Sequence, residues 1–384
     1  MTLCYQMDDK FEMIRLAVRE FAESEIKPVA GELEENEEFS VSLTQQMGDI
    51  GLFGMTVPEA YGGQGLDYIS YIIAVEEIAR IDGSQAATLA AGNSLGIGPI
   101  DAFGLEAQKR KYLPDLCRGR TLIGFGLTEP NAGSDAGATS TTATRDGDSW
   151  IINGRKTLTT NADTPMTKGS IVQALTGTRP NGKVEYTCFI VENDTPGFTR
   201  NTLKRKLMWR GSNTAELFLN NCRVPDNAVL GNPGDGFKQM LATLDGGRLS
   251  IGAMGLGCAQ GAYEAALRYS KERVQFGKPI SRQQAISFKL ADMALKIELA
   301  RNLLYKACWL AENKRPYGKE SAMAKLYCSE IAREVADEAV QVHGGYGLFK
   351  DYDVERFYRD QRLLQIGEGT SEVLRIVISR AIGC

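Results

Sequence analysis

The chain contains one histidine, His343, so acid–base chemistry at neutral pH falls to its carboxylates. One carboxylate stands apart. Glu368 lies in Gln365-Ile366-Gly367-Glu368-Gly369-Thr370-Ser371-Glu372-Val373, after the apolar Leu363 and Leu364 and between two glycines. Flanking glycines remove steric bulk, so a ligand can reach both the carboxylate and the neighbouring backbone N–H groups. An apolar approach raises a carboxyl pKa by desolvation, which suits a general base working near neutral pH. The same residues also suit a plain helix start, with Thr370 or Ser371 as N-cap and Glu368 solvated beside it. Both readings stand on local residues.

Three further segments combine polar side chains with open backbone. Gly126-Leu127-Thr128-Glu129-Pro130-Asn131-Ala132-Gly133-Ser134-Asp135 packs turn residues and hydroxyls together, and could hold a planar, hydrogen-bonding ligand or simply turn the chain between domains. It lacks the strand–turn–helix setting and the G-x-G-x-x-G spacing of a dinucleotide fingerprint, which argues against Rossmann binding of NAD. In Glu272-Arg273-Val274-Gln275-Phe276-Gly277-Lys278-Pro279, Arg273 and Lys278 could hold phosphates and Phe276 could stack on a flat ring; a basic helix terminus is the plainer alternative. Gln341-Val342-His343-Gly344-Gly345-Tyr346-Gly347 opens a helix into glycines whose N–H groups could cradle a pyrophosphate, or merely cap it. All four together favour ligand binding.

The elements that must position these segments fall into three stretches: 1–121 as an N-terminal helical domain, 122–235 as a middle β domain, and 236–384 as a C-terminal helical bundle. Apolar residues recur at helical spacing from Asp9 to Val29, where Pro28 closes the run, and further helices are predicted over Ser40–Asp49, Tyr68–Ile81 and Glu106–Cys117. The middle stretch is rich in β-branched residues, with hairpin signals at Asp146-Gly147 and Asn153-Gly154 and strands over Ser170–Leu175, Tyr186–Val191 and Glu216–Leu219. That pattern predicts a small barrel or sandwich. Leu241–Glu272, Gln284–Glu312 and Ser321–Val342 predict long helices, followed by Val354–Leu364 and Thr370–Ile382, a four-helix bundle. Gly252, Gly255, Gly257 and Gly261 on the first of these would let a helix or ligand approach closely. The fold class is α+β and multidomain.

Composition excludes several functions. Net charge is −4 over 384 residues, with no basis for sequestering nucleic acid. Asp8, Asp9 and Glu12 break the basic-then-apolar pattern of a secretory signal, and no apolar run approaches the roughly 18 residues of a membrane span. Eight cysteines (Cys4, Cys117, Cys188, Cys222, Cys258, Cys308, Cys328, Cys384) form no C-x-x-C pair, and neither a zinc framework nor a redox dithiol is expected. A soluble cytoplasmic protein without a metal site follows.

Over its whole length the chain resembles the acyl-CoA dehydrogenase flavoproteins. The resemblance rests on Tyr61-Gly62-Gly63-Gln64-Gly65, the Thr128–Asp135 loop, Arg273–Lys278, Gln341–Gly347 and Glu368–Glu372. It implies FAD as cofactor, an acyl-CoA substrate and an electron-transferring flavoprotein as partner. It also implies a homo-oligomer, expected to be a tetramer. By the same resemblance the flavin ring would touch Phe125, Leu127, Thr128, Leu158 and Thr160, with Ser134 serving flavin or CoA. Arg273, Phe276, Gln341, Gly344 and Gly345 would reach the FAD of a neighbouring subunit, and Thr370 and Glu372 would contact the cofactor. Arg248 would lie by the CoA, and Glu368 would be the base, its backbone N–H assisting at the thioester oxygen, with Gly369 beside the substrate. The chain departs from the family in several places: Gly247 stands where some relatives place the base, Gly367 where an aromatic residue is common, and Leu158 where tryptophan is usual. Ala91 replaces a frequent acidic residue. Lost bulk at 367 and 91 implies a wider pocket for a branched, cyclic or aryl-bearing acyl group. An acyl-CoA oxidase, a decarboxylating or desulfinating enzyme of the same fold, and a non-catalytic CoA-binding subunit remain alternatives.

Overall fold

The computed structural model describes residues 9–179 and 182–384; Cys4 and Asp8 lie outside the described residues. Among the described residues seven α-helices precede the first strand: α1 (Asp9–Phe21), α2 (Lys27–Asn36), α3 (Val41–Asp49), α4 (Tyr68–Ala79), α5 (Gly83–Ala91), α6 (Gly98–Phe103) and α7 (Glu106–Cys117). Short polar side chains start three of them. Ser40, Asp67 and Asp82 accept from the N–H groups of Leu43, Ser70 and Gln85, donors the first helical turn cannot satisfy itself. Pro28 does not close the first run. A π-helical turn, Ala22–Ile26, links α1 to α2, and Pro28 occupies the first turn of α2, where a missing N–H is tolerated.

The middle stretch forms one seven-stranded sheet: β1 (Leu122–Gly126), β2 (Thr142–Asp146), β3 (Ser149–Thr160), β4 (Thr167–Thr178), β5 (Val184–Glu192), β6 (Phe198–Thr202) and β7 (Thr214–Pro225). The strands run in the order β1-β4-β2-β3-β7-β6, with β5 paired to β4. Trp150, Ile152, Val172, Phe189 and Leu217 fill its core. Asp146-Gly147 turns β2 into β3 as its sequence predicts. Asn153-Gly154 does not make a hairpin. Strand β3 continues through it, slipping register against β7 between Ile152 and Gly154, so the dipeptide is a bulge.

A buried ion pair ties the loop after β1 to β3. Lys156 Nζ donates to the Glu129 carboxylate at 2.7 Å and to the Leu127 carbonyl at 3.2 Å, and the side chains of both ions are wholly buried. Burial pushes the Glu129 carboxyl up, but hydrogen bonds from Lys156, Ser140 and Thr141 outweigh it and hold the group at about 2. A carboxyl lowered by folding adds stability above its ordinary pKa, and loses that contribution as pH falls through the folded value. Lys156→Met should therefore strand a buried carboxylate and cost about 3–5 kcal/mol. Urea unfolding at neutral pH checks this; an unchanged midpoint would show that the pair contributes nothing.

Helix α8 (Gly236–Glu272) opens the C-terminal stretch. A two-residue hairpin, β8 (Val274–Gln275) and β9 (Lys278–Pro279), leads to α9 (Gln284–Glu312), α10 (Gly318–His343), α11 (Val354–Leu364) and α12 (Ser371–Ala381). Helix α8 packs against α4, α9, α10 and α11. Its glycine face explains how closely: a Cβ at Gly257 would lie 2.3 Å from the Glu76 carbonyl of α4, and one at Gly261 would lie 2.1 Å from the Arg80 carbonyl. One apolar core therefore joins the N-terminal and C-terminal helices. Among the described residues six cysteines are buried and unpaired, and Cys384 is exposed. No described helix is long and apolar enough to cross a membrane.

Candidate active site

Glu368 sits on the turn between α11 and α12. The N–H groups of Ile366 and Gly367 both return to the Leu363 carbonyl, at 2.8 and 2.9 Å, and the Thr370 hydroxyl caps α12 by accepting from Val373 N–H. Glu368 itself adopts a left-handed φ of 52°. A non-glycine residue holds that conformation only where its surroundings enforce it. One restraint is visible: Lys325 of α10, with no exposed surface, donates to the Gly369 carbonyl at 2.7 Å.

The carboxylate points at α8. A Cβ built on Gly247 would lie 1.9 Å from Glu368 Oε2, so only glycine leaves room for it. Oε2 is buried and has no hydrogen-bond partner. Burial raises the Glu368 carboxyl to about 7, against the opposing pull of Lys325 and Arg248. Lys325 is pushed down to about 8 by the same burial, with Glu368 acting against it. Arg248 is buried and pairs with Asp245 at 2.5 Å. The N–H of Glu368 donates no hydrogen bond among the described residues. A carboxylate with a buried, unpartnered oxygen beside a free N–H donor is equipped to remove a proton and to stabilise the charge left behind.

A cavity of about 260 Å³ lies alongside. Gly246, next to the Gly247 seat, belongs to its wall, with Tyr68, Tyr71, Ser94, Thr243 and Tyr317. Tyr71 shares a 2.9 Å hydrogen bond with Ser250. Neither Ala91 nor Gly367 lines this cavity. A side chain at 367 would first meet Leu363, at an ordinary 3.7 Å, so that position has free space on the turn itself.

The residues expected at a flavin gather around the end of β1. Thr157 N–H donates to the Thr128 carbonyl at 2.9 Å, bringing Leu127 and Thr128 beside Leu158 and Thr160. Phe125 is buried in β1, whereas Leu158 is 63% exposed in a left-handed conformation and Ser134 is exposed on the loop. Exposed apolar surface beside half-buried hydroxyls fits one face of a flat, polar-edged ring. Thr370 and Glu372 lie just beyond Glu368, Glu372 exposed on α12.

A second cavity, of about 470 Å³, forms where α10 ends. Arg273, His343, Gly344, Gly345 and Tyr346 line it. A Cβ at Gly344 or Gly345 would meet nothing within 4 Å, and Arg273 has no carboxylate partner among the described residues, its guanidinium resting over Tyr346. Open backbone with an unpaired guanidinium fits a phosphate-bearing ligand. Gln341 is exposed one turn earlier on α10. Phe276 stands 94% exposed at the tip of the β8–β9 hairpin and does not line the cavity. One chain thus places Glu368, Arg248 and Gly369 at one site, and Arg273, Gly344 and Gly345 at another.

Sequence reading missed Lys325. Its signal was available: Ala322, Ala324, Lys325, Cys328, Ser329 and Ala332 make one buried stripe of α10, and a lysine in such a stripe needs a reason. The cavity tyrosines Tyr68, Tyr71 and Tyr317 carried no such signal, being ordinary helix and loop residues.

The chain matches known proteins along nearly its whole length. Residues 8–120, 124–222 and 234–383 match the N-terminal, middle and C-terminal domains of acyl-CoA dehydrogenases. A probable acyl-CoA dehydrogenase of Bacillus subtilis, YngJ, is 49% identical over 378 residues, covering 98% of this chain and 99% of the relative. The CarC subunit of the caffeyl-CoA reductase–Etf complex of Acetobacterium woodii is 43% identical over 369 residues, 96% of this chain and 97% of CarC. The structure of butyryl-CoA dehydrogenase from Megasphaera elsdenii superposes with a TM-score of 0.95 at 41% identity, over 99% of this chain and all of the other. With three domains matched in order and a buried carboxylate at the turn where the sequence placed it, this chain belongs to the acyl-CoA dehydrogenase family.

Proposed function

We propose that the protein desaturates a short acyl-CoA thioester between its α and β carbons, with Glu368 as the base. One observation carries this reading: Oε2 of Glu368 is buried, unpartnered and held beside the 260 Å³ cavity. FAD, bound against Leu127, Thr128, Leu158 and Thr160, supplies the acceptor for the hydrogen that leaves the β carbon. Phe125 backs that wall, Ser134, Thr370 and Glu372 border it, and Arg248 with Gly369 flanks the thioester. Glu368 takes the α-proton as the C–H bond breaks. An ordinary thioester α-carbon is too weak an acid for a carboxylate unless charge on its oxygen is stabilised. The free N–H of Glu368 is the donor this chain offers there, and one preorganised donor is worth about 3–4 kcal/mol.

Several finer features belong to the same proposal. CarC is a subunit of a reductase–Etf complex, and we infer an electron-transferring flavoprotein as acceptor here as well. The cavity at Arg273, Gly344 and Gly345 shares no lining residue with the one beside Glu368, which supports an oligomer, a tetramer by resemblance, in which it serves a neighbour's FAD. The 260 Å³ cavity is not widened by Ala91 or Gly367, neither of which lines it, so preference for a branched or cyclic acyl group is left to the substrate panel.

Anaerobic bleaching of the flavin by butyryl-, isobutyryl-, isovaleryl- and cyclohexanecarboxyl-CoA tests the activity and its pocket. Oxygen uptake without mediator would instead indicate an oxidase, and a colourless protein that takes up no FAD a non-catalytic subunit. The pH dependence is fixed by Glu368. Only its ionised form accepts a proton, so the bleaching rate should rise with pH through about 7 and level off above it. A profile flat from about pH 5.5 to 8.5 would remove Glu368 from the role.

A further inference from the structure

Lys325 is the one lysine of α10 with no exposed surface. Its Nζ makes a single hydrogen bond among the described residues, to the Gly369 carbonyl at 2.7 Å. Burying an ammonium is costly, and an apolar residue of similar length would fill the stripe between Ala324 and Cys328 at lower cost. Packing therefore does not account for a lysine here. Its neighbourhood does. Lys325 faces the carboxylates of Glu368 on the α11–α12 turn, Glu330 on its own helix and Glu372 on α12, together with the guanidinium of Arg248 on α8. Glu368 in turn faces Lys325, Arg248 and, from α4, the phenol of Tyr71.

We propose that Lys325 is the positioning residue for the base: it clamps the Glu368–Gly369 turn through the Gly369 carbonyl and sets a positive charge beside the Glu368 carboxylate. The clamp acts on the residue after a left-handed Glu368, the point at which the turn would otherwise relax. The charge opposes the desolvation that Glu368 suffers at Gly247, and so keeps more of the base ionised at neutral pH than burial alone would allow. Lys325 touches neither substrate nor cofactor in this role, which rests on Glu368 being the base.

The test uses FAD-loaded enzyme and the variants Lys325→Met, Lys325→Arg and Lys325→Gln, with Glu368→Gln as reference. In K325M the bleaching rate by butyryl-CoA at pH 7 should fall about 10–100-fold, with KM little changed. Its acid limb should move up by about one pH unit. In substrate-free enzyme, ¹³C NMR of the Glu368 carboxyl, assigned by its loss in E368Q, should show the same upward move. K325R keeps charge and donor and should restore the limb to the wild-type position, whereas K325Q should shift it as K325M does. The last two variants carry the test if K325M fails to fold. A K325M or K325Q enzyme with lower thermal stability but an unmoved carboxyl titration would overturn the proposal and leave Lys325 a packing residue. Bleaching that survives in E368Q would overturn the base assignment itself, a separate outcome.

Discussion

Replacing Glu368 with glutamine is expected to leave a folded, yellow protein whose flavin an acyl-CoA no longer bleaches, the rate falling about 10²–10⁴-fold. Glutamine matches the carboxylate in size, so the seat opposite Gly247 and the turn to Thr370 are kept; only the proton acceptor goes. The fold should not suffer. A carboxyl raised to about 7 by burial favours folding most below its ordinary pKa, and that contribution fades as pH rises through 7. The amide has no such dependence, so E368Q should be at least as stable as the parent at pH 8, and a thermal melt beside the stopped-flow trace reads both effects. Rapid bleaching in this variant would mean another group takes the proton.

Gly247→Ala is expected to be nearly as damaging by a different route. An added methyl would sit 1.9 Å from Oε2. Helix α8 is pinned by backbone contact with α4 at Gly257 and Gly261 and with α10 at Gly255, so the end of a flexible side chain gives way more easily than the helix. The carboxylate must move instead, and a displacement near 1 Å at a reacting group costs about 10²-fold. Alanine is otherwise the better helix residue, by about 1 kcal/mol. The distinguishing result is lost bleaching with an unchanged or raised melting temperature. Full activity in G247A would show that the carboxylate works from some other position.

Much of this arrangement was legible in the residues. Helices α9 and α11 begin and end where their apolar spacing does, because long amphipathic runs with clear stops leave little choice. The Glu368 turn was legible through the family resemblance; its local residues suit a plain helix start as well, and Thr370 does cap α12. Strand β1 was not: five consecutive buried residues show no alternation, and parallel pairing with β4 leaves no turn to signal it. Asn153-Gly154 misled because the dipeptide serves hairpins and bulges alike. The segment after α8 folds back on itself at Phe276, which takes a left-handed φ of 54° that phenylalanine rarely adopts and no propensity announces. Pairings across the chain, Glu368 with Gly247 and Gly369 with Lys325, are invisible to local patterns.

The glycine face of α8 has a consequence for how this architecture can vary among relatives. Two peptide backbones meet there without side chains between them, so neither surface can gain so much as a methyl unless its opposite recedes in step. Early and late thirds of the chain must therefore fit as a matched set, and a chimaera that brought a larger residue to Gly257 or Gly261 would begin with a steric collision. The sheet has a core of its own, but Leu122, Phe125, Ile171 and Ile190 also enter the helical core, so it is fitted to the same pair of surfaces.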